Sequence, residues 1–469
     1  MTDLPVKTSR TDLCWPAVPE STGSTLLAIL FQLERSQWWS AERLVERQMA
    51  QLGLLLAHAE RSVPFYRKRF EGTGATAKGH LSLDEWSRLP LLRRADIQAA
   101  GDDLLSTALP QSHGQPSAVF TSGSTGKPIR AVRSQIWGLF WSAFTIRNHL
   151  WHGRDMRGKL AAIRESGKGK DPYPDGTAAP NWGLSSSLVF DTGPSVCLNI
   201  TCSIEQQVDW LVRQDPDYLL TLPSIAQRLA EHCLDNGIRL PKLRQIETIS
   251  EILRPATRDA CLKAWDVPVI DTYTAREAGY IALQCPECEH YHVQAESIFV
   301  EVLDEQDRPC APGEVGRVVV TPLHNFAMPL IRYDIGDFAE VGDPCPCGRG
   351  LPVLRRILGR RQDMLVLPSG EDRWPLLSSG DIGSLLAIAP IRQYQFVQKS
   401  VELIELRLVA ERELTADEED GLRRWVGDKF GHPFEVAITY HEAIPRTAAG
   451  KYQDFINEVG EVRPSAANR

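Results

Sequence analysis

Residues Phe120-Thr121-Ser122-Gly123-Ser124-Thr125-Gly126-Lys127-Pro128 decide how this chain is interpreted. They place four hydroxyl groups, two glycines and one lysine in the seven positions from Thr121 to Lys127. Glycine lets backbone N–H groups approach an anion closely, hydroxyl groups donate short hydrogen bonds, and an ammonium group neutralises charge. This composition predicts a loop that binds a polyphosphate. The alternative is a flexible surface loop, because such residues are also common in turns.

The same stretch differs from the P-loop of nucleotide hydrolases. Gly123 and Gly126 are too close together for that motif, and Pro128 stands where the magnesium-binding hydroxyl should be. Binding of a mononucleotide phosphate therefore has to use another arrangement.

Length and charge limit the partners that the chain can have. Its 469 residues exceed one ordinary core, so we expect at least two substructures. The formal net charge of −8 is modest for this length and favours neither nucleic acid nor a membrane surface as a partner. The start of the chain lacks a signal-peptide pattern, and the longest apolar run, Leu26 to Phe31, is too short to span a bilayer. We expect a cytoplasmic protein that binds small molecules, with a homodimer left open.

The hydrophobic pattern changes near residue 360, and this change suggests the domain organisation. Before it, Ala41 to Glu60 has helical spacing, and short β-rich runs such as Val315 to Thr321 alternate with helical segments. We therefore expect an α/β fold, in which residues 1–360 form a large multi-layer α/β body.

Residues 361–469 are expected to form a small, mobile α+β lid. The patterns predict strands at Gln393 to Val397, Val401 to Val409 and Phe434 to Tyr440, and a helix at Asp417 to Phe430. Thr415 and Glu418 predict a capping box at the start of that helix. The turn-forming stretch Leu367 to Asp372 is interpreted as the joint between body and lid.

Four further segments follow the first stretch along the chain. They are Tyr273-Thr274-Ala275-Arg276-Glu277, Arg332-Tyr333-Asp334-Ile335-Gly336-Asp337, Gly359-Arg360-Arg361-Gln362-Asp363-Met364-Leu365, and Pro445-Arg446-Thr447-Ala448-Ala449-Gly450-Lys451. In this order the segments resemble the motifs of the adenylate-forming superfamily of acyl-CoA ligases, adenylation domains and luciferases. Gly313 to Gly316 and Pro329 to Tyr333 are most similar to the phenylacetate-CoA ligase branch.

The resemblance implies a reaction and a set of site residues. A small carboxylic acid, of the aromatic or arylacetic class, would react with ATP to give an acyl-adenylate and pyrophosphate, and the acyl group would then pass to CoA. By the resemblance, Thr121 to Lys127 bind the phosphates, Tyr273 lies beside the adenine, and Asp337 and Arg360 contact the ribose. Glu277 would hold Mg²⁺, and Lys451 would bridge the attacking carboxylate and the α-phosphate of ATP.

Alternatives remain open at this point. A lone lysine or glutamate is usually a solvated surface charge, and Asp337 could be a turn residue. The acceptor could be an amine or a carrier-protein thiol, and the activated acid could be nitrite. The chain could also be a binding protein that kept the fold and lost catalysis.

Three departures from the family pattern qualify the resemblance. Arg276 replaces the usual threonine before Glu277, and Gln362 occupies the position of the hinge aspartate. Ser250-Glu251-Ile252 is only weakly similar to the adenine-contacting Gly-Glu-Pro segment of the family.

Cysteine and histidine residues suggest a structural zinc site. Cys285 and Cys288 are followed by His290 and His292, and a second pair, Cys345 and Cys347, lies downstream. Two such pairs can give one tetrahedral ion four ligands and leave no open position for catalysis. The favoured ligands are Cys285, His292, Cys345 and Cys347, with Cys288 as the substitute. A redox pair or plain reduced cysteines are the alternatives.

Five of the cysteines outside these pairs share one interpretation. We expect them to be small buried hydrophobic residues; they are Cys14, Cys197, Cys202, Cys233 and Cys261.

Overall fold

A computed structural model describes residues 6–71, 81–120, 129–167, 169–360, 363–369, 371–375, 377, 379–444 and 452–459. The predicted phosphate loop, Thr121 to Lys127, and the predicted catalytic Lys451 lie outside the described residues. Arg361 and Gln362 of the predicted hinge also lie outside them.

The described helices occur along most of the chain. They are α1 (Ser21–Ser36), α2 (Ala41–Ser62), α3 (Pro64–Arg69), α4 (Leu83–Ser87), α5 (Arg94–Ala100), α6 (Gln135–Trp151), α7 (Leu184–Ser187), α8 (Ile204–Gln214), α9 (Pro223–Asp235), α10 (Pro255–Trp265), α11 (Ser379–Ile388) and α12 (Ala416–Phe430). Short 3-10 helices span Gly101–Leu104 and Gln111–His113. No helix in the described ranges has the length and apolar character needed to cross a bilayer.

The first group of strands alternates with helices. It consists of β1 (Ser117–Phe120), β2 (Arg130–Arg133), β3 (Leu160–Arg164), β4 (Thr177–Ala179), β5 (Ser195–Asn199), β6 (Tyr218–Thr221), β7 (Gln245–Thr248) and β8 (Val269–Ala275). The next strands follow each other closely; they are β9 (Gly279–Gln284), β10 (Tyr291–Val293), β11 (Ile298–Leu303), β12 (Val315–Pro322), β13 (Tyr333–Val341) and β14 (Val353–Arg360). The last are β15 (Leu365–Val366), β16 (Asp372–Arg373), β17 (Ile391–Gln398), β18 (Leu403–Ala410), β19 (Glu435–Tyr440) and β20 (Phe455–Asn457).

Within the described residues, twelve strands form one sheet in the order β11-β12-β13-β14-β10-β9-β8-β7-β6-β3-β5-β4. Strands β5, β3, β6, β7 and β8 run parallel, and helices α8, α9 and α10 connect them. From β8 to β10 the neighbours are antiparallel, because short turns join them. Since parallel strands share one carboxyl edge, residues that follow β6, β7 and β8 lie near each other, where such sheets bind ligands.

The chain divides into two compact units. The first unit comprises residues 1–222, 239–250 and 267–357, and the second comprises residues 223–238, 251–266 and 358–469. Helices α9 and α10 thus group with the C-terminal residues. The assignment of residues 1–360 to a body and 361–469 to a mobile lid stays a prediction.

The second unit has its own core and sheet. Its sheet has the order β19-β18-β17-β20, with β17 and β18 antiparallel and the two outer pairs parallel. Buried Phe396, Leu406, Leu422 and Phe430 belong to one hydrophobic cluster. The predicted capping box is confirmed, since Thr415 and Glu418 cap α12 reciprocally.

The predicted secondary structure agrees with these elements. The spacing at Ala41 to Glu60 corresponds to α2, the run at Val315 to Thr321 lies in β12, and the C-terminal predictions correspond to β17, β18, α12 and β19. The location of the joint was wrong. Leu367 N–H donates to the carbonyl of Glu371 at 2.9 Å, closing the β15–β16 hairpin. Because Leu367 is buried in the second core, this stretch is a turn within the second unit.

The isolated cysteines differ in exposure. Cys233 and Cys261 are buried as predicted, whereas Cys14 is exposed and Cys197 and Cys202 are partly exposed. The prediction was therefore wrong for Cys14, because sequence spacing alone does not report burial.

The start of β13 is held by a segment from much earlier in the chain. Leu92 pairs with Tyr333 as an isolated bridge, and its N–H donates to the carbonyl of Arg332 at 2.9 Å. The buried Arg332 guanidinium forms an ion pair with Glu301 at 2.9 Å and donates to the carbonyls of Ser87 and Leu89. Residues near 90 are therefore part of the support of the Arg332 to Asp337 segment.

Candidate functional site

The β8–β9 hairpin carries Glu277 in its turn. Ala275 pairs with Gly279, so Arg276, Glu277 and Ala278 form the connection. Gly279 has a φ of +90°, and a Cβ there would lie 3.3 Å from the Trp137 ring. Glycine suits this position because it has no Cβ and accepts positive φ. The turn holds the Glu277 side chain with only 6% exposure, so the carboxylate is buried at the end of β8.

Tyr273 and Asp337 meet across the first unit. The Tyr273 hydroxyl donates a hydrogen bond to Asp337 Oδ2 at 2.7 Å. Tyr273 comes from β8 and Asp337 from β13, so two motifs that are 64 residues apart are joined. The residues that the resemblance assigned to adenine and ribose therefore lie side by side.

Arg276 connects this hairpin to the start of the predicted phosphate loop. Its Nη1 donates to the carbonyl of Phe120 at 3.0 Å, and its Nη2 lies 3.9 Å from Glu165 Oε2. Burial, followed by the charge of Arg276, lowers the pKa of the half-buried Arg133. The Arg276 guanidinium thus adds positive charge beside the residue that enters the loop, an arrangement that suits an anion.

Arg360 is the last residue of β14 and belongs to the second unit. Its N–H donates to Asp363 Oδ2 at 2.9 Å, and the preceding Gly359 has a φ of +104°. Burial raises the pKa of Asp363 to about 6. The structure therefore gives Arg360 a defined backbone position, while its ribose contact stays a prediction.

Glu251 has a larger role in the second unit than its weak motif suggested. Its Oε2 accepts from Ser224 N–H at 3.0 Å, and its Oε1 accepts from Tyr452 N–H at 2.8 Å. Nearby, Arg254 forms an ion pair with Asp454 at 2.5 Å. The sequence contained only the similarity of residues 250–252 to Gly-Glu-Pro as a signal, and it contained none for Arg254 or Asp454.

The predicted metal ligands converge between two loops of the first unit. Strand β10 pairs with β14, and this pairing brings the β9–β10 loop, with Cys285 and Cys288, next to the β13–β14 loop, with Cys345 and Cys347. The ligand atoms of Cys285, His292, Cys345 and Cys347 all lie within 4.8 Å of one another. The set chosen from the sequence therefore forms one cluster.

The spacing within the cluster fits a tetrahedral ion. Two thiolates about 2.3 Å from one tetrahedral zinc ion are about 3.8 Å apart, and a thiolate and an imidazole nitrogen are about 3.6 Å apart. Cys285 Sγ and Cys345 Sγ are 3.7 Å apart, and Cys347 Sγ and His292 Nε2 are 3.4 Å apart. Burial lowers the pKa of His292 to about 4, so its imidazole is neutral at neutral pH, as metal binding requires.

His290 offers a second ligand set that the sequence analysis did not select. Cys285, Cys288, His290 and Cys345 also lie within 4.8 Å of one another. However, His290 Nε2 is 2.9 Å from Cys345 Sγ, which is a hydrogen-bond distance and shorter than the tetrahedral edge. The geometry thus favours the set with His292 and Cys347, and His290 fits as a partner of the Cys345 sulfur.

Comparison with known proteins gives similarity over nearly the whole chain. A phenylacetate-coenzyme A ligase of Thermus thermophilus is 24% identical over 451 residues, which cover 89% of this chain and 97% of that protein. A phenylacetate-coenzyme A ligase of Escherichia coli is 24% identical over 440 residues, covering 90% of this chain and 97% of that protein. The model of the CapK C-terminal domain matches residues 382–458.

Solved structures show the same fold. A 2-hydroxyisobutyryl-CoA ligase in the postadenylation state, in complex with R3-HIB-AMP, superimposes with a TM-score of 0.70 at 21% identity. The match covers 91% of this chain and 92% of that structure. The chain is similar to phenylacetate-coenzyme A ligases over nearly its whole length and has the fold of a solved 2-hydroxyisobutyryl-CoA ligase.

Proposed function

We propose that this protein is an AMP-forming acid-CoA ligase, which activates a small carboxylic acid with ATP and transfers the acyl group to CoA. One observation carries the proposal: Phe120, Glu277, Tyr273 and Asp337, from three separate motifs, are linked through the β8–β9 hairpin and its contacts. Proteins with similar sequences over the same length are named phenylacetate-coenzyme A ligases, which supports this class of reaction.

In the first step, a carboxylate oxygen of the acid attacks the α-phosphorus of ATP. The bond from the α-phosphorus to the bridging oxygen breaks, and pyrophosphate leaves with the electron pair. Asp337 would hold the ribose, with its carboxylate oriented by the Tyr273 hydroxyl. Thr121 to Lys127 would bind the departing phosphates, and Lys451 would neutralise charge between the carboxylate and the α-phosphate.

Glu277 has the chemistry of a magnesium ligand. The residue lies in the turn between β8 and β9 and is only 6% exposed. Carboxylate oxygens are the protein ligands that Mg²⁺ prefers, and the ion would neutralise charge on the phosphates.

In the second step, the thiolate of CoA attacks the acyl carbonyl and AMP leaves. The alternatives are an amine, a carrier-protein thiol, or nitrite as the activated acid. Product analysis separates these reactions, because each gives a different compound from the same adenylation step.

The acid that we propose is aromatic or arylacetic. Trp137 covers Gly279, two residues after Glu277, and stacks on Trp141 with ring centroids 5.4 Å apart. Trp141 in turn contacts Tyr280 at 4.7 Å between centroids. Aromatic side chains near the carboxylate that we propose as a magnesium ligand suit an aromatic substrate, because rings pack well in offset or tilted contacts.

Cys285, His292, Cys345 and Cys347 are proposed to bind one structural zinc ion. Four protein ligands close the coordination sphere, so the ion would fix the β9–β10 loop to the β13–β14 loop and leave no position for substrate. Burial raises the pKa of the Cys285 thiol, so a cation is needed to stabilise its thiolate.

The experiment that tests the proposed function is acid-dependent ATP–pyrophosphate exchange across a library of carboxylic acids. Exchange is expected with at least one aromatic acid, together with AMP and an acyl-CoA when CoA is added. Lys451→Ala is expected to abolish exchange while ATP binding is largely kept. Unchanged exchange in that variant, or no CoA-dependent AMP release with any active acid, would contradict the assignment.

A further inference from the structure

The residues that follow Lys451 are held by the sheet of the second unit. Strand β20 pairs in parallel with β17, and Phe396 N–H donates to the carbonyl of Asp454 at 2.8 Å. Gln395 Nε2 donates to the carbonyl of Gln453 at 2.7 Å. The backbone is therefore held by the sheet from residue 453 to residue 457.

A second set of contacts reaches the same residues from the segment between β7 and α10. Both oxygens of Glu251 accept a backbone N–H, one from Ser224 and one from Tyr452, at 3.0 and 2.8 Å. The bond to Tyr452 is made at the residue next to Lys451. A carboxylate acceptor makes this hydrogen bond stronger than one between neutral groups.

An ion pair supports the Glu251 contact two residues later. Arg254 Nη2 lies 2.5 Å from Asp454 Oδ1, and the two side chains are only 25% and 10% exposed. Salt screens a buried ion pair only weakly. Removal of one partner is strongly destabilising, because the other charge is left buried and unpaired. Glu251 and Arg254 thus bind the chain at Tyr452 and Asp454, by a hydrogen bond and an ion pair respectively.

The backbone before Glu251 is in an uncommon conformation. Ser250 has a φ of +71°, in the left-handed region that non-glycine residues rarely adopt. Such a conformation persists where surrounding contacts require it. Here the turn at Ser250 leads directly into the residue whose carboxylate binds both N–H groups.

We propose that Glu251, supported by the Arg254–Asp454 pair, is a positioning residue for the adenylation step, which acts by fixing the backbone at Tyr452, the residue that follows the proposed catalytic Lys451. The inference rests on the proposed function, because that function gives Lys451 its role. The transfer of the acyl group to CoA does not use the lysine, so these contacts are needed in the first half-reaction and dispensable in the second.

The first test separates the two half-reactions in Glu251→Ala and Glu251→Gln. With phenylacetate as the first probe, and otherwise the acid that exchanges fastest, kcat for pyrophosphate exchange is expected to fall about 10- to 100-fold in Glu251→Ala. KM for ATP should stay within about threefold, because the lysine acts on the reacting groups and not on nucleotide binding. Glu251→Gln keeps one acceptor oxygen, so its kcat for pyrophosphate exchange should fall less than that of Glu251→Ala.

The same variants are then given the preformed acyl-adenylate of that acid and CoA. Thioester formation is expected to stay within about threefold of the unmodified enzyme. An equal loss in both half-reactions would mean a general structural role and would overturn the inference, as would unchanged exchange in Glu251→Ala.

The ion pair is tested in the same way. Arg254→Ala and Asp454→Asn should each lower exchange, and the double charge reversal Arg254→Asp with Asp454→Arg should recover part of it. Lys399→Ala is the matched control, because it removes an ion pair with Glu458 just after β20 without touching the Glu251 contacts. If Lys399→Ala lowers exchange as much as Arg254→Ala, the specific role of the Arg254 pair is wrong.

Hydrogen–deuterium exchange gives a readout that needs no substrate. In Glu251→Ala, a peptide covering residues 452–457 should exchange at least tenfold faster, while peptides from β18 should not change. Unchanged protection there overturns the inference whatever the activity. If the unmodified enzyme shows no acid-dependent pyrophosphate exchange, the proposed function fails first. A different result would sink this inference alone. In that case the unmodified enzyme shows acid-dependent pyrophosphate exchange, and Glu251→Ala loses hydrogen-exchange protection at residues 452–457 but keeps its adenylation activity.

Discussion

The Tyr273 hydroxyl donates a 2.7 Å hydrogen bond to Asp337 Oδ2 and so joins the two segments that the family resemblance assigns to adenine and ribose. Tyr273→Phe removes this bond and leaves the ring in place. The cost of losing a hydrogen bond to a charged group is about 1.5–3 kcal/mol, so we expect the Kd for ATP to rise by roughly tenfold or more. Calorimetric titration with ATP measures this value directly.

Tyr173→Phe is the control for this prediction. Tyr173 also donates to an aspartate, Asp209, at 3.0 Å, but on the exposed surface. Its loss should leave ATP binding unchanged. Equal affinities in the Tyr273 variant and the unmodified protein would show that the bond does not orient Asp337.

Arg332→Ala is expected to destabilise the protein strongly. The guanidinium is 2% exposed and forms an ion pair with Glu301, which would be left buried without its partner. Removing one member of a buried pair costs about 3–5 kcal/mol. Urea unfolding measures the change, and Arg88→Ala, which breaks the exposed pair with Asp84, should cost about 1 kcal/mol or less. Similar losses in the two variants would contradict the burial argument.

Asp363 should make the stability of the second unit dependent on pH. Burial raises the pKa of this carboxyl from 3.8 to about 6, so the folded state prefers the neutral form. The stabilisation is therefore complete below about pH 4 and is lost as the pH rises through about 6. Asp363→Asn should remove this slope and raise the free energy of unfolding at pH 7 by about 1–3 kcal/mol.

Urea unfolding between pH 4 and 7 tests this prediction. Asp102→Asn is a suitable control, because the Asp102 side chain is 82% exposed and should leave the slope unchanged. A slope in Asp363→Asn as steep as in the unmodified protein would assign the pH dependence to other groups.

Metal analysis of the purified protein should find about one zinc ion per chain. Cys345→Ser, Cys347→Ser and His292→Ala should each lose most of it, because they remove ligands of the favoured set. His290→Ala, Cys288→Ser and the remote control Cys202→Ser should keep it. Loss of zinc in the His290 and Cys288 variants, with retention in the His292 and Cys347 variants, would point to the second set.

Much of the fold follows from the sequence where periodicity and capping act locally. The helix Ala416–Phe430 and its Thr415–Glu418 capping box are examples, because residues close together in the sequence determine both. The joint was placed wrongly at Leu367 to Asp372, because turn-forming residues mark a hairpin as well as a linker. Burial of Leu367 distinguishes the two cases, and burial depends on the rest of the fold.

Residues of the candidate site could be selected from the sequence where they belong to a motif. Residues that belong to no motif could not be selected in this way. Tyr273, Glu277 and Asp337 were selected by their order along the chain, and the cysteine spacing selected the metal cluster. Glu251, Arg254 and Asp454 become partners only through contacts between residues about 200 positions apart. Local sequence patterns do not indicate which residues so far apart in the chain will be in contact. Whether Lys451, Arg360 and residues 121–127 act as assigned stays a prediction, as do the cytoplasmic location and the homodimer.

The link between Leu92 and the start of β13 restricts how this protein can be engineered. Leu92 N–H donates to the Arg332 carbonyl, Asp334 N–H donates to the Leu92 carbonyl at 2.9 Å, and Arg332 binds the carbonyls just before it. A shortened version that begins after residue 100 would therefore leave those groups of the segment proposed to bind ribose without partners. Chimeras that exchange the N-terminal region with a relative would need to exchange the strand at residues 333–341 together with it.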